Sequence, residues 1–138
     1  MKKILLVSLL GFGVVLSGCV ASPASQMLDN KFLDVQLTPP STSGVWTTAA
    51  GGGLATIKLN SDGRGVMCQD NGRNLIVHQL RNSNDIIYNQ SGTSLKVISI
   101  DPKLLVTKTT LSAFNVTLQF KGDNDLSLAS PACLEKLK

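Results

Sequence analysis

Phe114, Val116, Leu118 and Phe120 alternate with Asn115, Thr117, Gln119 and Lys121, and this alternation constrains the chain more than any other feature of its sequence. A period of two puts one set of side chains on each face of an extended backbone, the pattern of a half-buried strand. Ala55, Ile57 and Leu59 alternate in the same way with Thr56, Lys58 and Asn60. The segments "NLIVHQL", "DIIYNQ", "TSLKVISI" and "KLLVTKTT" are short, apolar and rich in β-branched residues. Each is too short for an ordinary helix and fits a strand.

Turn signals separate these segments at even intervals: "SDGR" at 61–64, "DNGR" at 70–73, "RNSN" at 81–84, "QSGT" at 90–93, "DPK" at 101–103, "LSA" at 111–113 and "KGDND" at 121–125. Spacing of about ten residues is that of an all-β sandwich or barrel. Nothing between the turns reads as a crossover helix, so the strands are expected to run antiparallel. The expectation is an all-β antiparallel meander, a small barrel or sandwich of eight or nine strands. Asn71-Gly72 is the best candidate for a type I′ turn, because both residues tolerate positive φ. Ser130 followed by Pro131 reads as an N-cap and first helical residue, which makes "PACLEKLK" a short C-terminal helix.

The first residues belong to a different kind of segment. Lys2 and Lys3 precede an uncharged apolar run from Ile4 to Leu16. It is too short to cross a bilayer, which takes roughly 20 residues as helix. A basic start, a short apolar middle and small residues at the end describe a secretory leader. Leu16, Ser17, Gly18 and Cys19 match the lipobox of bacterial lipoproteins, which implies cleavage before Cys19 and acylation of its sulfur. An ordinary leader would need an A-x-A site, and "ASPAS" lies beyond the apolar run. Val20, where an aspartate would signal inner-membrane retention, points to the outer membrane. The domain is then expected in the periplasm, with the cell surface as the other option.

The expected organisation is a signal peptide at 1–18, a lipidated tether at 19–44 and a barrel or sandwich domain at 45–138. Within the tether, "MLDNKFLDVQL" is apolar enough to dock on the domain as a short helix or extended piece. Loss of Lys2 and Lys3 lowers the net charge from +4 to +2, which gives no basic face for nucleic acid. With Cys19 lipidated, two of the three cysteines remain, and in an oxidising compartment Cys68 and Cys133 are expected to pair.

Consecutive meander turns alternate between the two ends of a sheet. The turns at 61–64, 81–85, 101–103 and 121–125 share a charged end, which collects Asp62, Arg81, Lys103 and Asp123 among others. The opposite end carries "GGG", "DNGR", "QSGT" and "LSA" and is small and nearly neutral. Cys68 and Cys133 fall at the same end if a strand leads from the last turn back towards the turn at 70–73.

Known catalytic and metal-binding patterns do not emerge. His78 is the single histidine, with no local nucleophile motif around it. "GDND" lacks the spaced ligands and distal glutamate of a calcium loop, and the sole glutamate is Glu135. Gly51 to Gly53 precede a strand and lack a P-loop lysine, so they read as a turn. The chain is therefore expected not to be an enzyme and to need no metal or other cofactor. Trp46, the largest apolar side chain, is expected to plug the core, with ligand stacking as its alternative role.

The lipobox, "SGVW", "LATIKLNSDGRGVMC" and "SPACLEKL" together resemble the small YedD-like outer-membrane lipoproteins of proteobacteria, of the Acinetobacter type. The resemblance covers the leader and most of residues 44–137, and it carries location and fold more than activity. "QSGTSLK" and "FKGDND" also resemble the inhibitory segments of membrane-bound lysozyme inhibitors, which would make Ser91 and Lys121 binding residues. Against that, the two lie 30 positions apart with two strands between them, and the meander puts their turns at opposite ends. Three functions follow as expectations: a binding or interaction module anchored in the envelope, a lysozyme inhibitor, or a lipocalin-like carrier of a small apolar ligand. The expected partners are the membrane, through the N-terminal lipid, and an envelope protein.

Overall fold

A computed structural model describes residues 31–111 and 113–138. The lipobox residues Leu16, Ser17, Gly18 and Cys19 lie outside the described residues, as do Met27 and Leu28 of the tether.

Eight strands follow one another in sequence and in space: β1 (Gly44–Ala50), β2 (Gly53–Leu59), β3 (Arg64–Asp70), β4 (Leu75–Ser83), β5 (Ile86–Asn89), β6 (Ser94–Ile100), β7 (Leu104–Leu111) and β8 (Phe114–Gly122). All neighbours are antiparallel, and β1 pairs with β8 to close the sheet into a barrel. Closure removes the free strand edges that a small open sheet would expose. One short helix, α1 (Pro131–Leu137), follows the barrel.

The register sorts the side chains. Trp46 stands opposite Ile57, Ile57 opposite Met67 and Met67 opposite His78, so these residues share the inner face. The inner cluster holds Trp46, Ile57, Leu59, Leu80, Ile87, Leu105 and Phe120. Trp46 is fully buried, as the plug expected of it, and its indole Nε1 donates to the Asp101 carbonyl oxygen at 2.8 Å. Gly44 makes room beside it. A Cβ there would sit 2.9 Å from Asn124 Oδ1, the atom that accepts from the Val45 N–H at 2.9 Å.

A second cluster lies outside the barrel, where α1 covers the outward face of β3. Cys68, Ala129, Cys133 and Leu137 are buried there, with Val66 and Leu126 packed against them. β3 is thus buried on both faces, Met67 inward and Cys68 outward. The Cys68–Cys133 disulfide forms, with Cα atoms 5.8 Å apart. Ser130 caps α1 by accepting from the Cys133 N–H, and the Leu137 carbonyl accepts from Lys58 Nζ at the other end.

Three details differ from the sequence reading. The type I′ hairpin is not at Asn71-Gly72. Four residues, 71–74, separate β3 from β4, and of the Asn71-Gly72 pair only Gly72 has positive φ. Asn71 Oδ1 instead accepts from the Arg73 and Asn74 amides, an Asx-type closure. Among the described residues, the two-residue turns with positive φ throughout are Gly51-Gly52 and Asn84-Asp85. Second, no strand leads to Cys133. Residues 123–130 return along the outer face without ladder pairing among the described residues.

Third, Asp123 is not a solvated rim charge. It is only 2% exposed, because Thr47 Oγ1 donates to its Oδ2 at 2.8 Å while the Leu128 N–H donates to its Oδ1 at 2.9 Å. Thr56 Oγ1 lies 2.7 Å from Thr47 Oγ1 and completes the chain of hydrogen bonds. Buried polar groups persist where each finds a partner, and this network holds the segment after β8 against β1.

At the charged end, residues 31–43 strap the barrel. Phe32–Asp34 form one 3-10 turn, with Phe32 buried beneath the Arg81 guanidinium at 5.2 Å. Thr38 and Asn82 exchange two hydrogen bonds, from the Thr38 N–H to the Asn82 carbonyl and from Asn82 Nδ2 to the Thr38 carbonyl, each 2.9 Å.

Candidate ligand cavity

The barrel is filled unevenly. Near the strapped end the inward positions carry Trp46, Leu59, Leu80, Leu105 and Phe120, which occupy the lumen. Towards the other end the lumen is lined by Ala50 and Thr109 of the strands and by Gly51, Ser91 and Thr93 of the rim turns. Short side chains on a barrel of fixed girth leave volume unfilled, and a cavity of about 400 Å³ results. Met67, Leu95, Val116 and Leu118 form its apolar wall, and Gln69, Asn89, Ser91, Thr93 and Thr109 contribute polar groups. The volume lies in the range of roughly 300–1,000 Å³ usual for ligand pockets.

The polar groups are held in place. Asn89 Oδ1 accepts from the Ser91 N–H at 2.8 Å and lies 2.9 Å from His78 Nδ1, while Asn89 Nδ2 reaches Met67 Sδ. Thr109 Oγ1 donates to the Ser94 carbonyl at 2.9 Å. Among the described residues, no charged side chain lines the cavity. Asp70 lines a smaller adjoining cleft with Gly51, Gln69 and Ile76. The Gly72 amide, and then the Ser130 hydroxyl, hold its carboxyl below the usual carboxylate range. Exposed apolar residues stand at the same end of the strands: Phe114, 74% exposed, at the start of β8, and Leu75, Ile76 and Val77 at the start of β4.

The residues singled out from sequence separate into three places. Ser91 lines the cavity. Trp46 lies in the filled half and does not line the cavity. Lys121 is on the outward face of β8, opposite Thr47 and Leu104, and lines an external groove. Ser91 and Lys121 are therefore not brought together. The wall residues Met67, Leu95, Val116 and Leu118 were legible only as strand residues. No local signal marked them as wall, because they come from β3, β6 and β8 and meet only across the closed barrel.

An eight-stranded antiparallel meander barrel, plugged at one end by the tryptophan of Gly44-Val45-Trp46 and hollow at the other, has an interior with room for one small ligand. The family profile for the bacterial lipocalin LPS transport optimiser YedD matches residues 29–137. The chain belongs to the YedD family. The match takes in the whole barrel, the disulfide and α1. The resemblance read from "SGVW", "LATIKLNSDGRGVMC" and "SPACLEKL" is therefore to the right family, and these YedD-family segments have identifiable structural work. Gly44 and Trp46 build the plugged end; Cys68 and Cys133 clamp α1 to β3. No curated protein and no solved structure matched the chain.

Proposed function

We propose that this chain is a lipid-anchored envelope lipoprotein whose barrel is a binding module for an apolar chain, acting beside LPS transport without catalysing a reaction itself. The observation that carries the reading is the cavity of about 400 Å³ with its wall of Met67, Leu95, Val116 and Leu118. Apolar surface of this kind gains free energy when a ligand removes it from water, by about 25 cal/mol per Å². The family's description as bacterial lipocalins and LPS transport optimisers supports both the ligand class and the setting.

In this reading Cys19 carries the acyl groups and Val20 directs the protein to the outer membrane, with the barrel in the periplasm. Palmitate labelling of cells tests the anchor: label is expected on the parent chain and lost in Cys19→Ser. Titrating a fluorescent apolar probe into the mature chain carrying Cys19→Ser tests the cavity. Saturable binding is expected, and Val116→Trp, which fills the hollow half, is expected to weaken it at least tenfold with the melting temperature little changed. Absence of saturable binding would refute the carrier reading.

The lysozyme-inhibitor reading lacks a shared surface for Ser91 and Lys121. Mature protein at micromolar concentration is expected to leave lysozyme active.

A further inference from the structure

The barrel is closed least completely where its first and last strands meet. β1 and β8 share two residue pairs, Trp46 with Gly122 and Thr47 with Lys121. Every other neighbouring pair shares three to eight. Continuing the register would set Ala49 opposite Gln119 and Ala50 opposite Leu118, yet no such pairing forms. Thr48, Ala49 and Ala50 stay paired with β2 on their other side. A seam thus runs up the wall beside the hollow half.

The seam has a space on each side. Inside is the cavity, and outside is a groove of about 340 Å³ lined by Thr47, Leu54, Gln119, Lys121 and Leu128 among others. Ala49 lines both spaces. Its side chain is a single exposed methyl group.

Charge is distributed unequally across the seam. Among the described residues no cationic side chain lines the cavity, and the ionised Asp70 beside its open end disfavours an anion there. The groove has Lys121, and among the described residues no carboxylate lies within ion-pair distance of it. Leu54 and Leu128 give the groove apolar surface as well. An apolar tail is matched inside the wall, and a negative head group outside it.

Resting on the reading of the cavity as an apolar ligand site, we propose that the β1/β8 seam is a lateral passage for a single acyl chain, which lies in the cavity while its anionic head group stays outside on Lys121. The cavity is small for a ligand pocket, which fits one chain better than two. The same chemistry is offered by a free monoacyl anion and by one chain of a bilayer lipid.

The test uses the mature chain carrying Cys19→Ser, with a fluorescent long-chain fatty acid and its methyl ester as probes. The acid is expected to bind more tightly than the ester. Lys121→Gln is expected to weaken the acid about two- to fivefold, the range of an exposed ion pair, and to leave the ester unchanged. A disulfide introduced by Ala49→Cys with Gln119→Cys zips the seam and is expected to slow uptake of both probes at least tenfold, with each single variant as control. Ala49→Leu, at an exposed position, gives the same direction without a crosslink.

Presenting the acid in phosphatidylglycerol vesicles distinguishes the source. Uptake faster than spontaneous desorption indicates a bilayer donor, and uptake limited by desorption indicates the free anion. Unchanged uptake in the locked variant, or equal effects of Lys121→Gln on acid and ester, would overturn the passage while leaving the cavity reading intact. Failure of the parent chain to bind either probe would overturn both.

Discussion

Thr107 Oγ1 is buried and, among the described residues, has no hydrogen-bond partner. It sits on the inner face of β7 opposite Leu118, where water does not reach it. An unsatisfied buried hydroxyl costs about 1–3 kcal/mol, so Thr107→Val is expected to raise the urea midpoint and stabilise by about 1 kcal/mol. Asp123 is the opposite case, with Thr47 and the Leu128 amide both donating to it. Asp123→Ala strands both donors, and a loss of about 1–3 kcal/mol in the same unfolding assay is expected. Asp70 tests the sign of a titration. Its folded pKa is lowered by the Gly72 amide and the Ser130 hydroxyl, so its contribution is present above the unfolded value and is lost as pH falls through the folded one. Carboxyl-carbon chemical shifts should titrate below the ordinary 3.8 in the parent chain and nearer to it in Ser130→Ala.

At the scale of elements, the disulfide and the strap do work that the short strands cannot. Cys68 and Cys133 close a loop with a sequence separation of 65, and constraining an unfolded loop of that size stabilises by about 4 kcal/mol in the chain-entropy picture. Cys68→Ala with Cys133→Ala is expected to lower stability by roughly that amount and to loosen α1 first, seen as faster amide exchange from Cys133 to Leu137. Gly63 has φ +92, and a Cβ there would run into the Thr38 carbonyl of the strap. The alternation of Phe114 to Lys121 made β8 readable because a strand's two faces are written locally, every second residue. Turn geometry was less readable. Asn71-Gly72 has the better composition for a type I′ turn, but the pairing of Asp70 with Leu75 leaves four residues to span, and register is fixed by neighbouring strands.

For the whole molecule, the fold was legible and the cavity was not, for one physical reason. Eight strands with turns about ten residues apart define a meander from local signals alone. A hollow depends on the summed volume of side chains from β1, β3, β5, β6, β7 and β8, which meet only after closure. Ser91, which the sequence offers only through its likeness to a lysozyme-inhibitor segment, lines that hollow; Lys121 lies outside it. The exposed Phe114 offers a check at this scale. Phe114→Ser is expected to reduce adsorption of the protein to apolar resin or detergent micelles without lowering its stability by more than a few tenths of a kcal/mol, the usual size for an exposed site.

The strap also decides how the molecule bears load. A force applied through the N-terminus is expected to arrive at the plugged end, first on Phe32 and the Arg81 bonds to the Leu33 and Val35 carbonyls, then on Thr38 and its bonds to Asn82 and Asn84. Those few bonds peel one after another before any strand ladder is strained. The strap is therefore expected to act as a mechanical fuse, giving way before load from the N-terminal side reaches β1 and the cavity it lines.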